Sequence, residues 1–172
     1  MGNKKLTTAQ ALKFARHDFL NELQLILLYI DLEKLPEAKQ KILETTDHMR
    51  QIAMLERLGL PAVETWLTTF DWLYAAFPST MSCTIVKGNR EADDASVAAF
   101  LEHVFSEAEK TLDPAFEYET KIVVQASSTS WSIAITVYGE MGNKNPIPVT
   151  TGKFFTKETI SHNQWTFTVS GQ

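Results

Sequence analysis

Between Thr7 and Leu58 apolar residues return every three or four positions, with one interruption at Glu33-Lys34-Leu35-Pro36. That spacing belongs to amphipathic α-helices, and the single break makes the stretch a helical hairpin. Thr7 or Thr8 suits the N-cap of the first helix, which is expected to run to Glu33 or Lys34. Pro36 fits the first turn of a second helix ending near Leu58, where Gly59 and Pro61 form a stop signal. At ~100° per residue, Leu12, Ala15, Phe19, Leu23, Ile26 and Ile30 share one stripe of the first helix, widened by Leu20 and Leu27. The second helix offers Ala38, Ile42, Thr45, Met49, Ile52 and Ala53. Two helices cannot cover a stripe this wide. The expected solution is a homodimer in which two hairpins make a four-helix bundle, with Phe19, Leu23, Ile26 and Ile30 in its core.

Beyond residue 60 the periodicity changes. Residues 62–77 and 92–112 read as helices, the latter broken at Asp113-Pro114. Residues 82–88, 121–127 and 130–139 read as strands, and 151–171 as two more around Ser161-His162-Asn163. The reading is α+β: a hairpin domain over 1–60 and an α/β sandwich with a largely antiparallel sheet over 61–172.

Composition removes several function classes. No apolar run reaches the ~18–20 residues that span a bilayer, and Lys4-Lys5 leads into a polar segment rather than a signal-peptide core. A single cysteine, Cys83, excludes an intramolecular disulfide and fits a reducing, cytoplasmic setting as a small buried residue. Residues 1–60 carry nine Lys/Arg and eight Asp/Glu, a net +1, whereas 61–172 carry seven and thirteen, a net −6. Phosphate backbones require a positive surface, which argues against a nucleic-acid surface on the second part. No metal-ligand spacing is present.

One histidine stands apart. With Phe19 at 0° on the wheel, His17 lies at about 160°, Gln24 at about 140°, Leu28 at about 180° and Asn21 at about 200°. His17 therefore faces away from the apolar stripe. The plain reading is a solvated surface histidine. Against it, Asn21 is a mediocre helix former and Leu28 has no folding reason to sit opposite the core. Polar groups and one apolar residue around an outward histidine suit a docking face. His48, His103 and His162 lack ligand spacing or a convergent acid and read as structural or solvated.

The motif R-H-D-x-x-N-x-L-Q at residues 16–24 resembles the sporulation initiation phosphotransferase B family, whose hairpin is shared with a class of two-component sensor histidine kinases. The similarity is strongest over 14–33, and "GLPAVETWLTTFDW" (59–72) also looks like the family. The resemblance implies a dimeric phosphorelay protein of sporulation initiation. His17 would take a phosphoryl group from the aspartyl phosphate of one response regulator and pass it to a second. The chemistry is self-consistent: neutral imidazole is a competent nucleophile, and transfer depends on in-line positioning and charge stabilisation. The regulator would bring its own Mg2+ and lysine, so this chain needs no cofactor and only has to present the ring.

The resemblance also distributes roles. Asn21 would support the phosphoryl site by a hydrogen bond, with Arg16 and Asp18 beside it. Asp18, about 100° from His17 on the helix, need not touch the ring. Gln24 and Leu28 would contact the regulator, and Lys13 with Arg16 would favour an acidic partner pocket. The second part resembles a histidine-kinase ATPase domain that has lost its nucleotide site. Glu107 falls where the metal-binding Asn is expected and Gly139 where the adenine-reading Asp is expected, and no glycine-rich phosphate loop appears. Three alternatives stay open: a degenerate sensor kinase, a regulator phosphatase using Asn21, and a non-catalytic dimeric scaffold.

Overall fold

The computed structural model describes residues 6–88, 90–142, 145–147 and 153–172. The chain divides into two units, Met1–Arg50 and Gln51–Gln172. This geometric boundary precedes the 60/61 boundary read from sequence, because Leu55, Leu58 and Leu60 are buried with the second unit's core.

In the first unit, helix α1 spans Thr8–Asp31 and helix α2 begins at Leu35 and continues to Leu55. Thr7 caps α1 through a capping box: its hydroxyl accepts from the Gln10 backbone N–H at 3.2 Å, while Gln10 Oε1 accepts from the Thr7 N–H at 2.9 Å. The helix ends two to three residues before the expected limit because Glu33 turns left-handed (φ 58°), and the Lys34 N–H reaches back to the Tyr29 carbonyl at 2.8 Å. The α2 face turned to α1 is marked by Lys41 and Thr45, both bonded to Glu22 at 2.8 Å. Burial is the largest influence on the Glu22 carboxyl and raises its pKa, but the bonds from Lys41 and Thr45 outweigh it and leave the group below its ordinary value. Ala11, Glu22, Leu25, Ile26 and Tyr29 are the half-buried residues of that side of α1. No residue of α1 is fully buried. Phe19, Leu23 and Ile30 of the expected core stripe stay about half exposed, as do Leu12, Leu20 and Leu27, with Leu35, Ile42 and Met49 of α2.

In the second unit α2 passes into a 3-10 turn at Glu56–Leu58, so the second helix stops at Leu55 rather than Leu58. The expected 62–77 helix is two pieces, α3 (Pro61–Thr68) and α4 (Phe70–Leu73), separated at Thr69. Pro61 at N1 leaves the N–H groups of Ala62 and Val63 to be satisfied, and the Asp94 carboxylate accepts both at 2.7 and 3.0 Å. Asp94 opens helix α5 (Asp94–Thr111), so one carboxylate ties two helices together. Among the described residues the strands are β1 (Ser79–Ile85), β2 (Glu119–Ala126), β3 (Trp131–Tyr138), β4 (Phe155–Ile160) and β5 (Gln164–Gly171). Their order is β1-β2-β3-β5-β4, with only β1 and β2 parallel. Thr151 and Gly152, where the sequence reading opens the fourth strand, lie outside the described residues.

Strict alternation places Ile122, Val124, Ile133, Ile135, Val137, Trp165, Phe167 and Val169 on one buried face. Helix α5 lays Val97, Leu101, Val104, Phe105 and Ala108 into the same core. Phe105 is its hub, with ring contacts to Trp66, Phe70, Tyr74, Phe77, Trp165 and Phe167 between 4.8 and 6.1 Å. The aromatic richness of 62–77 is thereby used up in packing. Arg90 fastens the sheet's end: its guanidinium donates to the carbonyls of Arg57, Leu58, Val86, Ser127 and Ser130. Cys83 is buried, and burial pushes its thiol up to about 11.

Candidate phosphoacceptor site on the first helix

His17 projects from the middle of α1 with its side chain 70% exposed. Two neighbours approach the same ring nitrogen. Asn21 Nδ2 lies 3.1 Å from Nδ1, and Asp18 Oδ1 lies 3.5 Å from it. Asn21 is one helical turn on, so its reach follows from the i, i+4 spacing. Asp18 differs from the sequence expectation: although about 100° away on the wheel, its carboxylate swings back to the ring at the outer limit of a hydrogen bond. Among the described residues no hydrogen bond falls on Nε2. The geometry therefore offers one nitrogen held by neighbours on the same helix and one that faces outward.

Lys13, Arg16, Gln24 and Leu28 are all exposed, and Leu28 keeps 51% of its surface accessible on the His17 stripe. An apolar side chain so placed contributes little to the fold of the single chain and is available to a partner.

The remaining histidines stand in other settings. His48 and His103 are exposed, and His162 Nε2 pairs with Glu140 at 3.1 Å. Among the described residues no group of three His, Cys, Asp or Glu side chains converges on a metal position, and no helix is long and apolar enough to cross a membrane.

The two positions compared with a nucleotide site have local explanations. Glu107 pairs with Lys110 at 2.6 Å and lines a cavity of about 200 Å³ with His103, Val104, Thr111, Asn145, Pro146 and Ile147. Pockets for drug-sized molecules usually enclose ~300–1,000 Å³. Gly139 has φ 136°, and a Cβ there would meet the Tyr118 ring at 2.6 Å and the Glu117 carbonyl at 2.8 Å. No side chain fits at that point of the chain, an aspartate included.

Sequence reasoning missed the Glu22–Lys41–Thr45 tie. Its signal was present as a lone acid between apolar positions of α1 and a basic residue on α2, but pairing across a hairpin depends on a register that the loop alone sets. It also missed the convergence of Asp18 and Asn21 on one nitrogen, which depends on side-chain torsions rather than on wheel angle.

Comparison with solved structures finds histidine kinases at low similarity. The catalytic domain of the histidine kinase ThkA gives a TM-score of 0.43 at 13% identity, over 67% of this chain and 93% of that one. The histidine kinase AdeS of Acinetobacter baumannii gives 0.46 at 13%, over 91% and 97%. ThkA in complex with the response regulator protein TrrA gives 0.42 at 14%, over 93% and 60%. No curated protein is significantly similar in sequence. Residues 3–58 match the profile of the sensor kinase SpoOB-type, alpha-helical domain, and this segment contains His17, Asn21 and the whole exposed stripe. The hairpin that carries His17 is therefore similar to the alpha-helical domain of SpoOB-type sensor kinases.

Proposed function

We propose that this two-component signalling protein is an ATP-independent histidine phosphotransferase that works between two response regulators in the initiation of sporulation. The observation that carries the reading is His17: an exposed imidazole in a SpoOB-type hairpin, tethered at Nδ1 and open at Nε2. A regulator with a phosphorylated aspartate would bring the phosphoryl group, its Mg2+ and its lysine to that nitrogen. The Nε2–P bond forms as the P–O bond to the aspartate breaks, and the electron pair leaves on the carboxylate. The reverse step hands the group to the second regulator. Lys13 and Arg16 favour an acidic pocket around the regulator's aspartate, and Leu28 gives the contact an apolar anchor.

The half-exposed stripe of Leu12, Phe19, Leu20, Leu23, Leu27 and Ile30 supports a homodimer closed as a four-helix bundle, with both His17 rings outside it. Two features favour independence from ATP: Glu107, whose charge would repel a triphosphate, and Gly139 in place of an acid. The 1–60 hairpin is then the transfer and dimer domain, and 61–172 a kinase-like domain without nucleotide chemistry.

The test is transfer from candidate regulators phosphorylated with labelled acyl phosphate. Acid-labile label should appear on the wild type and be absent from His17→Ala, with the dimer unchanged. Label that persists on the variant overturns the assignment. Calorimetric titration with Mg-ATP should show no heat above dilution; saturable binding would restore the sensor-kinase reading. The 3.1 Å contact of Asn21 with the ring favours one second reading, a regulator phosphatase. Loss of regulator phosphate to water without label on His17 would identify it.

A further inference from the structure

We infer that the second unit carries a binding site for a neutral saccharide on the open face of its sheet. The inference is independent of the role proposed for His17.

The strand registers define the place. Thr84, Gln125, Ser132, Ser170 and Phe155 are successive partners across β1, β2, β3, β5 and β4. One residue from each strand therefore stands in a single row, and alternation turns the row away from the face packed on α5. At ~4.7–4.9 Å between strands the row is roughly 19 Å long. It lines an open cavity of about 630 Å³ that continues to Val86 and Trp131 at the strand ends. Small-molecule sites usually enclose ~300–1,000 Å³.

The chemistry of the wall narrows the ligand. Among the described lining residues none is charged. Arg90 lies at the same end of the sheet, but its N–H groups are spent on the carbonyls of Val86, Ser127 and Ser130. An ion entering here would lose hydration and meet no counter-charge. A wholly apolar molecule would take water from the hydroxyls and amides of the row and return no hydrogen bond. A neutral molecule rich in both donors and acceptors matches, because hydroxyl and primary amide groups each donate and accept.

Two apolar side chains fit the same ligand. Phe155 is 75% exposed and Val86 58%, and both border the cavity without joining the core. A pyranose has hydroxyls around its edge and a flank of C–H hydrogens. That flank suits the negative face of an aromatic ring, which Phe155 presents.

The wall also holds a donor with nothing to bond. Trp131 is 2% exposed, and its Nε1 has no partner among the described residues. Buried polar groups are nearly always paired, so this N–H calls for an acceptor. Gly171 borders it. A Cβ there would meet Nε1 at 2.8 Å, so glycine keeps side chains off that edge of the indole. A saccharide oxygen at the Gly171 end of the cavity would supply the acceptor.

The test titrates the 15N-labelled full chain with glucose, N-acetylglucosamine, maltose and cellobiose, followed in 1H–15N correlation spectra. Trp131→Phe assigns the Trp131 indole signal among the four tryptophans. At least one sugar should shift that signal and the backbone signals of Ser132 and Ser170 saturably. Phe155→Ala should raise the dissociation constant about tenfold, the effect of ~1.4 kcal/mol. Phe155 stands outside the core, so the variant should keep the wild-type fold in the same spectra. Ser132→Ala removes a hydroxyl from the middle of the row and should weaken binding severalfold. His17→Ala should bind like the wild type, so failure of the phosphotransferase reading would leave the site standing. The inference is overturned if none of the four sugars gives saturable shifts, if adenosine gives them in their place, or if Phe155→Ala and Ser132→Ala both bind as tightly as the wild type.

Discussion

Replacing Leu23 measures the energy stored in the exposed stripe of α1. In the single chain Leu23 keeps 47% of its surface accessible. Full burial of a leucine side chain contributes ~1.5–3 kcal/mol, so closing a dimer over the remaining half contributes roughly 0.7–1.4 kcal/mol per protomer. Two-fold symmetry presents the same residue twice, which brings the sum to roughly 1.5–3 kcal/mol per dimer. Alanine retains little of it. Leu23→Ala should therefore raise the dimer dissociation constant roughly 10–100-fold, at ~1.4 kcal/mol per decade. Leu23→Glu would bury two like charges facing an apolar seam and should leave no dimer at all. Sedimentation equilibrium over a dilution series gives the constants, and far-ultraviolet circular dichroism checks that the helices persist. A wild type that stays monomeric at every concentration refutes the reasoning, and so does a Leu23→Ala dimer as tight as wild type.

Leu28→Asp places a charge in the proposed regulator contact while changing stability by less than ~0.5 kcal/mol, as exposed substitutions do. The regulator concentration for half-maximal transfer should rise about tenfold or more, the effect of ~1.4 kcal/mol; an unmoved half-saturation would make the His17 stripe an ordinary solvated face. Asp94→Ala removes the acceptor of two α3 N–H groups and should lower unfolding free energy by about 1–2 kcal/mol in a urea titration, as the loss of a helix cap does; a change below ~0.5 kcal/mol would show water taking its place. The Asp93 carboxyl, which accepts from Lys153 and from the Ser96 N–H that opens α5, is held down to about 2 by the lysine first and the helix start second. A depressed carboxyl stabilises the fold above its unfolded pKa and loses that contribution as pH falls toward 2, so Lys153→Ala should move the Asp93 titration upward by NMR. A curve that does not move would leave the helix start as the sole cause.

The hairpin was legible because helix pattern is local. Period, caps and the Pro36 and Gly59 stops each act within a few residues, and the bare stripe was visible as more apolar width than two helices can cover. The outward direction of His17 followed from the same periodicity, since a residue about 160° from the stripe has no route to the interior. The strands were legible for a similar reason, as alternation has a period of two and Trp131 to Val137 follows it without a fault.

Other features depended on contacts distant in sequence. The break at Thr69 falls between rings, Trp66 on one side and Phe70 and Tyr74 on the other, that all meet Phe105 of α5, a contact distant in sequence. The end of α2 at Leu55 and the unit boundary at residue 50 follow from a core that draws in Leu55, Leu58 and Leu60, which helix propensity alone cannot register. The parallel pairing of β1 with β2 depends on where α5 returns the chain. Gly139 looked like a missing acid in the sequence, and the Tyr118 ring beside it supplies a steric reason for glycine. At His17 the division is sharpest. Periodicity along one helix decides that the ring faces out, whereas the torsions of Asp18 and Asn21 in the folded chain decide which nitrogen is held and which is offered.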